Sequence, residues 1–466
     1  MSLKNSKVYI SAPYTKYMKA VLNSFRAKEG HCPHGLGIQS ISKYCNERGH
    51  EVEMVSSRVE NISESIEKIL ALNPQVVGLS SNYITEEYIS KMARIIKQRN
   101  GEIFVVVGGP SVTYSFKESP IRHSDADLFV RGDGEEAFYE ILEKGPDSFL
   151  TGRNKLTGVS TKQDFNEGIA SVDLKLISSV FPITFQTDHV YWETVRGCAF
   201  NCIYCAHPGQ KNQFREVPLE KVTKEVEHLE SKGFRAIYIT DPILGGKKER
   251  SKKIIGLLGR LKSSFITAEY RPEYLDEEVL DLLEDAQIGW LEFGLQTTNP
   301  SLEYFRRNAP SVMEKLERLS KRLIKYSLDL IVGIPGDTKE SFESSLKFAI
   351  ERAKPTSLKV FPLRVYEGTQ LHHMVKIEGW EYDDKTRIIK RSNSFDETEF
   401  SNWMKMGRTS AHLYRFLESN NWFGEESKLR DIKMFIRFSD KFGKQIKEEY
   451  DDSQIKKLWS EFRNER

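Results

Sequence analysis

Two stretches of this 466-residue chain alternate short apolar segments with amphipathic helical segments. One stretch runs from residue 6 to about residue 145, and the other runs from residue 188 to about residue 366. Short apolar runs that alternate with helical patterns indicate parallel strands joined by crossover helices. The alternation therefore predicts an α/β protein with two parallel sheets, because each such sheet needs helices to cover its faces.

The first stretch is predicted to form a doubly wound sheet of the Rossmann or flavodoxin type. Its predicted strands are residues 8–12, 52–55, 76–80, 104–107 and 128–130. Helical spacing, as at Leu36, Ser40, Ile41 and Tyr44, predicts the crossover helices. Glycine-rich turns follow the last two strands, and such turns suit a ligand with phosphate or nucleotide groups at the carboxyl end of the sheet.

The second stretch is predicted to form a partial barrel. Its predicted strands are residues 189–195, 236–240, 265–270, 290–295, 328–334 and 357–363. Six βα units make a (β/α)6 barrel of the TIM type, smaller than the complete eight-fold form. Its chemistry is then expected at the carboxyl ends of the strands.

The remaining residues set the predicted domain boundaries. Residues 146–185 lack strong periodicity and are predicted to form a connector with a small strand or two. Apolar residues Ile455, Leu458, Trp459 and Phe462 have the spacing of an amphipathic helix, so a small helical domain is expected at the C-terminal end. The expected domains are residues 1–147, a connector 148–185, a barrel 186–370 and a helical domain 371–466.

Composition excludes some partners and compartments. The 69 Lys and Arg residues nearly balance the 67 Asp and Glu residues, and no basic stripe favours a nucleic-acid partner. No apolar run approaches the roughly 20 residues that cross a bilayer. The N-terminal segment is polar and lacks the features of a signal peptide. We therefore expect a cytoplasmic monomer that binds neither nucleic acid nor membrane.

Three of the five cysteines, Cys198, Cys202 and Cys205, lie within eight residues, just after the first predicted barrel strand. Thiolates bind zinc and iron–sulfur clusters. A structural zinc site needs four ligands, and His207 is a nearby candidate for the fourth. Three buried structural cysteines are the other interpretation. The position at a barrel strand's end favours a chemical role.

The spacing Cys-x3-Cys-x2-Cys with Tyr204 before the last cysteine resembles the motif of the radical S-adenosylmethionine (SAM) family. The resemblance covers most of residues 188–366. It implies that Cys198, Cys202 and Cys205 are the metal-binding, catalytic residues that hold a [4Fe–4S] cluster, whose fourth iron binds SAM. It also implies that an electron from the cluster cleaves SAM to methionine and a 5′-deoxyadenosyl radical.

Further strand ends resemble the SAM-binding segments of that family in their order along the chain. The SAM contacts that the resemblance implies are Tyr204, Thr240, Asp241, Glu269, Arg271, Gln296, Gly333 and Pro335. Simpler interpretations exist for some of them. Glu269 and Arg271 could form a barrel salt bridge, and the Gly-x-Pro-Gly segment from Gly333 has ordinary turn chemistry.

The first stretch resembles the cobalamin-binding domain found ahead of many radical SAM barrels. Glycines there let the backbone approach the corrin and its nucleotide tail. The implied cobalamin contacts are Tyr14, Gly35, Leu36, Ser80, Ser81, Asn82, Gly108, Gly109, Pro110, Arg131, Gly132, Asp133, Gly134 and Glu135.

The sequence departs from one pattern of cobalamin proteins. The Asp-x-His-x-x-Gly signature, whose histidine coordinates cobalt, is absent. The first predicted strand instead ends in Ala12-Pro13-Tyr14, and His31 and His34 lie further along in a predicted loop. We therefore expect no histidine ligand from the protein on cobalt.

Together, the two resemblances imply a class B radical SAM methyltransferase. Such an enzyme methylates an unactivated carbon by using methylcobalamin and the 5′-deoxyadenosyl radical, and it needs an electron donor of the flavodoxin or ferredoxin type. Three alternatives remain open. The same cofactors could drive ring contraction, cyclisation or oxidation without net methylation; the first domain could have lost cobalamin; or the chain could be a non-enzymatic cobalamin sensor.

The sequence predicts a small molecule or a peptide as the substrate and does not identify it. The candidate substrate contacts are aromatic or basic residues of the barrel and the helical domain, each equally plausible as a core aromatic or a salt-bridge residue. They are Tyr191, Trp192, Arg364, Tyr366, Trp403 and Trp422.

Overall fold

A computed structural model describes residues 18–25, 35–115, 117, 119–177, 188–205, 214–300, 309–426 and 429–464. The chain divides into two compact units, Met1–Thr187 and Asp188–Arg466. The first unit therefore includes the residues that were predicted as a connector, and the second includes both the predicted barrel and the C-terminal helices.

The first unit contains one six-stranded sheet. Its strands are β1 (Lys19–Phe25), β2 (Glu51–Ser57), β3 (Val76–Ser80), β4 (Phe104–Gly108), β5 (Leu128–Val130) and β6 (Val159–Ser160). The order is β2-β1-β3-β4-β5-β6, with β1 to β5 parallel and β6 antiparallel to β5. This is the doubly wound order, in which the strand sequence reverses between β1 and β3.

Helices cover both faces of this sheet. They are α1 (Leu36–Asn46), α2 (Ile62–Ala71), α3 (Glu86–Arg99), α4 (Pro110–Ser115), α5 (Gly134–Lys144) and α6 (Pro146–Leu150). Because alternate strand residues point to opposite faces, Val21 packs in one hydrophobic cluster and Leu22 in the other. The expected fold class of this unit is confirmed.

The first strand of this sheet is not where the sequence analysis placed it. Residues 8–12 lie outside the described residues, and the strand between β2 and β3 is Lys19–Phe25. Asn23 in the middle of β1 obscured the apolar pattern. Its amide nitrogen donates to Val55 O at 2.9 Å and to Ser57 Oγ at 2.7 Å, whereas its Oδ1 is buried with no hydrogen-bond partner among the described residues.

The correction brings the end of the first strand closer in sequence to His31 and His34. The strand that precedes α1 ends at Phe25 and not at Tyr14, so His31 and His34 belong to the segment between β1 and α1. Tyr14, His31 and His34 all lie outside the described residues.

The second unit contains a parallel six-stranded sheet. Its strands are β7 (His189–Trp192), β10 (Ala236–Ile239), β11 (Phe265–Tyr270), β12 (Trp290–Gln296), β13 (Tyr326–Val332) and β14 (Ser357–Pro362). Their spatial order follows the chain, which is the order of a partial barrel. A short antiparallel ribbon of β8 (Val195–Arg196) and β9 (Arg215–Glu216) flanks the segment after β7.

Helices α7 to α11 follow successive strands of this sheet. They are α7 (Leu219–Lys232), α8 (Lys248–Leu258), α9 (Glu277–Ala286), α10 (Ala309–Leu319) and α11 (Lys339–Lys347). The alternation within β11 shows which side is covered. Ile266, Ala268 and Tyr270 are buried, whereas Thr267 and Glu269 are accessible on the opposite face, which is the barrel interior.

The last part of the chain adds helices to the barrel unit. Its elements are α12 (Gln370–Glu378), β15 (Glu381–Tyr382), β16 (Ile389–Arg391), α13 (Glu397–Ser419), α14 (Trp422–Glu425), α15 (Ile432–Phe442) and α16 (Asp452–Arg463). Tyr414 of α13 donates its hydroxyl to Pro355 O at 2.8 Å, just before β14. None of the helices in the described part of the chain is both long and apolar enough to cross a membrane.

Candidate active site

The three clustered cysteines follow β8, on the carboxyl side of the first barrel strand. Cys198, Cys202 and Cys205 are all half-buried, and none forms a disulfide. Burial is the main cause that raises the pKa of Cys198. This thiol therefore becomes a thiolate most readily when a metal stabilises the charge.

Asp241 holds the start of the cysteine segment. Its carboxylate accepts the Thr194 N–H at 2.6 Å, the Thr194 hydroxyl at 2.5 Å and the N–H groups of Val195 and Gly245, each at 3.0 Å. Asp241 is buried, and burial is the main cause that raises its pKa, against the effect of these hydrogen bonds. In this structure the residue predicted as a SAM contact positions the segment that leads to the cysteines.

Arg250 of α8 supports the same segment and was missed by the sequence analysis. Its buried guanidinium donates to Thr194 O at 3.2 Å and to Val217 O at 2.6 Å. In the sequence, Arg250 stands within a mostly basic run, residues 247–253. Since basic residues in such a run are usually solvent-exposed, the sequence did not distinguish it.

Two of the cysteine sulfur atoms accept hydrogen bonds. The Phe200 N–H donates to Cys198 Sγ at 3.5 Å, and Arg271 Nη1 donates to Cys202 Sγ at 3.5 Å. Arg271 is only 6% exposed, so in this structure it faces the cysteine segment and not an open ligand site. N–H groups aimed at cysteine sulfur are typical of iron–sulfur environments.

The described residues supply three half-buried thiols, and two of their sulfur atoms accept N–H donors, which is a donor set that an iron–sulfur cluster uses. Among the described residues, no group of three or more His, Cys, Asp or Glu side chains surrounds one position suited to a metal ion. A cluster binds each cysteine thiolate through a different iron, and N–H donors directed at the sulfur atoms, as found here, suit such ligands. His207, the candidate fourth zinc ligand, lies outside the described residues.

Charged side chains of neighbouring strands meet in the barrel interior. Lys359 Nζ of β14 lies 2.9 Å from Glu292 Oε2 of β12, and Asp329 lies on β13 between these two strands. Glu269 of β11 is exposed on the interior face of the strand, where solvent screens part of the effect of its charged neighbours. Burial, followed by the charges of Glu292 and Asp329, raises the pKa of Glu269 to about 7, while Lys359 acts to lower it.

The sequence analysis named Glu269 but missed Glu292, Asp329 and Lys359. The signal was a charged residue in the middle of each apolar strand, for example Asp329 in Tyr326–Val332. In most barrels the interior is apolar, so strand patterns alone do not predict a polar interior.

Gln296 ends β12 in a strained conformation. Its φ angle is 65°, and the pairing register shifts between Gly294 and Gln296. The amide folds over Gly294, where an added Cβ would lie 2.5 Å from Gln296 Nε2. Gln296 Oε1 is buried and has no hydrogen-bond partner among the described residues, so it can accept from a ligand.

The other predicted SAM contacts lie at the same end of the sheet. Thr240 is exposed, and its hydroxyl donates to Trp192 O at 3.2 Å, while Tyr204 is half-buried among the cysteines. Gly333 and Pro335 follow β13. An added Cβ at Gly333 would lie 2.7 Å from the Phe400 ring, so this glycine serves the packing of α13.

The carboxyl edge of the first sheet brings together Ser80, Ser81, Asn82 and the turn from Gly108 to Pro110. Ser81 N donates to Gly108 O at 2.9 Å, which holds the two turns in contact. Gly109 has a φ angle of 96°, and a Cβ there would lie 2.6 Å from Ser81 O. Only glycine allows this close approach.

This edge fits a large, partly apolar ligand such as cobalamin. The Ser81 hydroxyl is buried with no partner among the described residues, and a Cβ added at Gly37 would meet none of their atoms within 4 Å. Tyr83 and Ile84 follow Asn82 and are 37% and 63% exposed. An orphaned hydroxyl, open space at the start of α1 and exposed apolar side chains suit a bound corrin.

The Arg-Gly-Asp-Gly-Glu segment from 131 to 135 makes mostly internal contacts. Arg131 donates to Glu167 O at 2.7 Å, and Asp133 accepts from the Val172 N–H at 2.9 Å. Gly132 has a φ angle of 93°, and a Cβ there would lie 2.2 Å from Ala170 O. In this structure the segment attaches residues 158–172 to the sheet.

Gly134 and Glu135 at the end of this segment also pack internally. A Cβ at Gly134 would lie 2.4 Å from Ile41 Cδ1, and Glu135 accepts from the Ser40 hydroxyl at 2.6 Å. Gly35 and Leu36 begin α1, where Gly35 has no side-chain cap.

The aromatic candidates for substrate contact divide into two groups. Trp192 and Trp403 are buried, and Trp192 Nε1 donates to Glu225 at 2.7 Å, so both side chains are part of the core. Trp422 packs edge-on against Trp459. Tyr191 is half-buried on the interior side of β7 beside Tyr238.

Arg364 and Tyr366, the remaining candidates, follow β14. The Arg364 guanidinium donates to Thr386 O, and Arg364 also forms a bridge with Ile388. Tyr191 is therefore the candidate that the structure places most directly on the barrel interior.

Comparison with protein families matches both units. Residues 192–349 match the radical SAM superfamily, and residues 23–142 match the B12 binding domain. Among curated proteins, the chain is similar to an uncharacterized methyltransferase of Pyrococcus horikoshii, with 25% identity over 81% of this chain and 87% of the relative. It is also similar to the ribosomal protein uS12 methylthiotransferase RimO of Wolinella succinogenes, with 27% identity over 69% of this chain and 76% of the relative.

Two solved structures share the fold. The methyltransferase TsrM of Kitasatospora setae, solved with cobalamin and a [4Fe–4S] cluster, has a TM-score of 0.63 at 16% identity, covering 83% of this chain and 82% of that chain. The cobalamin-dependent SAM radical enzyme OxsB has a TM-score of 0.70 at 14% identity, covering 96% of this chain and 75% of that chain. At these identities the likeness shows the fold alone.

Proposed function

We propose that this chain, a cobalamin-dependent radical SAM enzyme, methylates an unactivated carbon of a small molecule or peptide. Its cofactors are a [4Fe–4S] cluster, SAM and cobalamin, as the radical SAM and B12 binding domains imply. The radical SAM domain and its cysteines argue against a non-enzymatic cobalamin sensor, which has no use for a cluster.

One observation carries the proposal. A single chain combines a B12 binding domain with a barrel whose first strand leads to three half-buried cysteines without disulfides. An sp3 carbon offers no lone pair to SAM, so its methylation needs both a radical step and a separate methyl carrier, and this chain has a domain for each. Similarity to a methyltransferase over 81% of the chain supports the same reaction class.

The residues of the chain position these groups. When bound, the cluster supplies the electron for SAM cleavage and cobalamin supplies a methyl carrier. Cys198, Cys202 and Cys205 are proposed to hold the cluster, while Asp241 orients the segment that carries them. In the barrel interior, the Glu269 carboxyl has a pKa of about 7, so it can bind or release a proton near neutral pH.

Partners and location follow from the chemistry. We propose an electron donor of the flavodoxin or ferredoxin type, because each SAM cleavage consumes an electron. A monomer in the cytoplasm remains our prediction, and a reducing compartment suits the four described cysteines, which form no disulfide.

Methylthio transfer is a second candidate, because some curated relatives are methylthiotransferases. A sulfur-donating second cluster needs its own set of cysteines. Outside the motif the chain has only Cys32 and Cys45, and burial raises the pKa of Cys45 to about 12. Such a thiol is inert. Methyl transfer therefore remains the preferred assignment.

The test begins with cluster chemistry. Wild type and Cys202→Ala are reconstituted with iron and sulfide under anaerobic conditions and supplied with SAM and a chemical reductant. We expect wild type to form 5′-deoxyadenosine and the variant to form none, because one iron loses its ligand. Equal 5′-deoxyadenosine formation by the variant would contradict the assignment of the cysteines.

The reaction outcome is then read by mass spectrometry with SAM labelled in its methyl group. Methylation adds one labelled CH2 to the substrate, whereas methylthio transfer adds sulfur as well. A product without the label would instead favour ring contraction, cyclisation or oxidation. Absence of cobalamin absorption in protein produced with hydroxocobalamin would show that the first unit does not bind the cofactor.

A further inference from the structure

Arg271 reaches the cysteine segment from the residue directly after β11. Its Nη1 lies 3.5 Å from Cys202 Sγ and donates a hydrogen bond to it. Its guanidinium carbon lies 3.7 Å from the centre of the Phe200 ring, which separates the first two cysteines along the chain. The guanidinium therefore contacts both a proposed cluster ligand and the segment between ligands.

Glu273 fixes the orientation of this guanidinium. Arg271 Nε donates to Glu273 Oε2 at 3.0 Å, and Nη2 donates to Oε1. Lys315 Nζ in turn donates to the Glu273 backbone carbonyl at 2.5 Å. A bidentate arginine–carboxylate pair is geometrically specific, so the remaining nitrogen, Nη1, is held towards Cys202.

The arrangement places positive charge on the side of the sulfur. Glu273 binds the far edge of the guanidinium, so the dipole of the ion pair has its positive end at Cys202. Arg271 is 6% exposed, and one face of its guanidinium is covered by Phe200, so water screens the charge weakly.

We propose that Arg271 is a positioning residue that raises the reduction potential of the iron–sulfur cluster through Cys202. Reduction adds one electron from the electron donor to the cluster. A hydrogen bond to a ligating sulfur and a nearby positive charge both stabilise the reduced, more negative form. The inference rests on the proposed function, in which Cys202 is a cluster ligand.

The Phe200 N–H that donates to Cys198 serves as an internal reference. It is a backbone donor and remains in any side-chain variant. Substituting Arg271 therefore removes one hydrogen bond to a cysteine sulfur and leaves the other in place. The change in reduction potential then reports on the Arg271 donor alone.

The test compares cluster potentials. Wild type, Arg271→Lys and Arg271→Met are reconstituted with iron and sulfide, and the reduced cluster is followed by electron paramagnetic resonance during a redox titration without SAM. We expect the midpoint potential to fall from wild type to Arg271→Lys and further to Arg271→Met. Lysine keeps the positive charge but lacks the planar guanidinium that binds Glu273 through two nitrogens, and methionine lacks both the charge and the guanidinium.

The matched control is Arg322→Gln. Arg322 also belongs to the barrel unit, but it pairs with Glu277, Asp281 and Glu284 and not with the cysteine segment. We expect its midpoint potential to equal that of wild type, because a distant partly exposed charge is screened by water and salt.

The outcomes separate the two levels of the proposal. Equal midpoints in wild type and both Arg271 variants at full iron content would overturn the role of Arg271, as would loss of the cluster from both variants. If only Arg271→Met fails to bind iron, the midpoint potential of Arg271→Lys is compared with that of wild type. A lower value supports the role of Arg271, and an equal value overturns it. A wild-type protein that binds no iron would instead contradict the cysteine site itself, and this inference with it.

Discussion

At the residue scale, the barrel site depends on side chains whose partners come from other strands. Glu269 shares the barrel interior with Glu292, Asp329 and Lys359, which lie on three successive strands. Asp241 accepts a hydrogen bond from the backbone N–H of Thr194, 47 positions earlier in the chain. Such groups acquire their pKa and their role from neighbours that the local sequence does not reveal.

The raised pKa of Glu269 predicts a pH-dependent effect on stability. The folded protein holds this proton up to about pH 7, whereas the ordinary value is 4.5. The folded state therefore binds more protons between these values, and the carboxyl destabilises the fold increasingly as pH rises through this window. We expect Glu269→Gln to be stabilising, with a gain that grows from about pH 5 and levels off above about pH 7.

Denaturant unfolding of the cofactor-free protein across this pH range measures the effect. Glu220→Gln, which changes an exposed glutamate on α7, is the matched control and should show no such trend. A constant difference between wild type and Glu269→Gln at all pH values would contradict the prediction.

At the element scale, the packing of α13 against the sheet decides the structure of the C-terminal region. Gly407 lies in α13, and a Cβ there would lie 2.7 Å from Val360 Cγ1 and 2.8 Å from the Phe342 ring. The long helix can approach β14 only because this residue has no side chain. The helical pattern predicted from sequence becomes part of the barrel unit through this contact.

Two glycine-to-alanine substitutions test this packing. Gly407→Ala should destabilise the protein, because overpacking costs about 1–3 kcal/mol and outweighs the better helix propensity of alanine. Gly256→Ala in α8 is the matched control, since its Cβ would meet no atom of the described residues within 4 Å. It should stabilise the protein by about 0.5–1 kcal/mol. Equal changes in the free energy of unfolding for both variants would show that α13 packing is looser than described.

At the scale of the whole molecule, the residues proposed to bind the two cofactors belong to different compact units. The first unit has the carboxyl edge with Ser81 and Gly109, and the second has the cysteine segment. The two cofactors should therefore respond to different substitutions.

Gly37→Phe tests this independence. Gly37 is exposed, and no atom of the described residues lies within 4 Å of a Cβ added there, so the larger side chain should be tolerated by the fold but should obstruct cobalamin at the start of α1. We expect a lower cobalamin content, measured by absorption, with iron content unchanged. Cys202→Ala should give the opposite result, with cobalamin retained. A joint loss of iron and cobalamin in either variant would contradict separate sites.

The sequence by itself determined the α/β class, the six barrel strands and the position of the cysteine motif. It did so because hydrophobic periodicity is a local property, and because the three cysteines lie close together in the chain. The predicted strand 265–270 coincides with β11, and strand 76–80 coincides with β3. β1 escaped prediction because the acceptors that pair with the Asn23 amide nitrogen lie on β2, far along the chain.

Only the tertiary structure decided what the predicted site residues contact. Arg271 donates a hydrogen bond to Cys202, and Asp241 accepts hydrogen bonds from backbone N–H groups. Lys359 forms an ion pair with Glu292 across β13. The tertiary structure also shows that Gly132 permits a close approach of the backbone to Ala170. The glycine-rich pattern alone suggests a turn that contacts a ligand. The reason is physical, because hydrogen bonds, burial and charge interactions depend on distances between residues far apart in sequence.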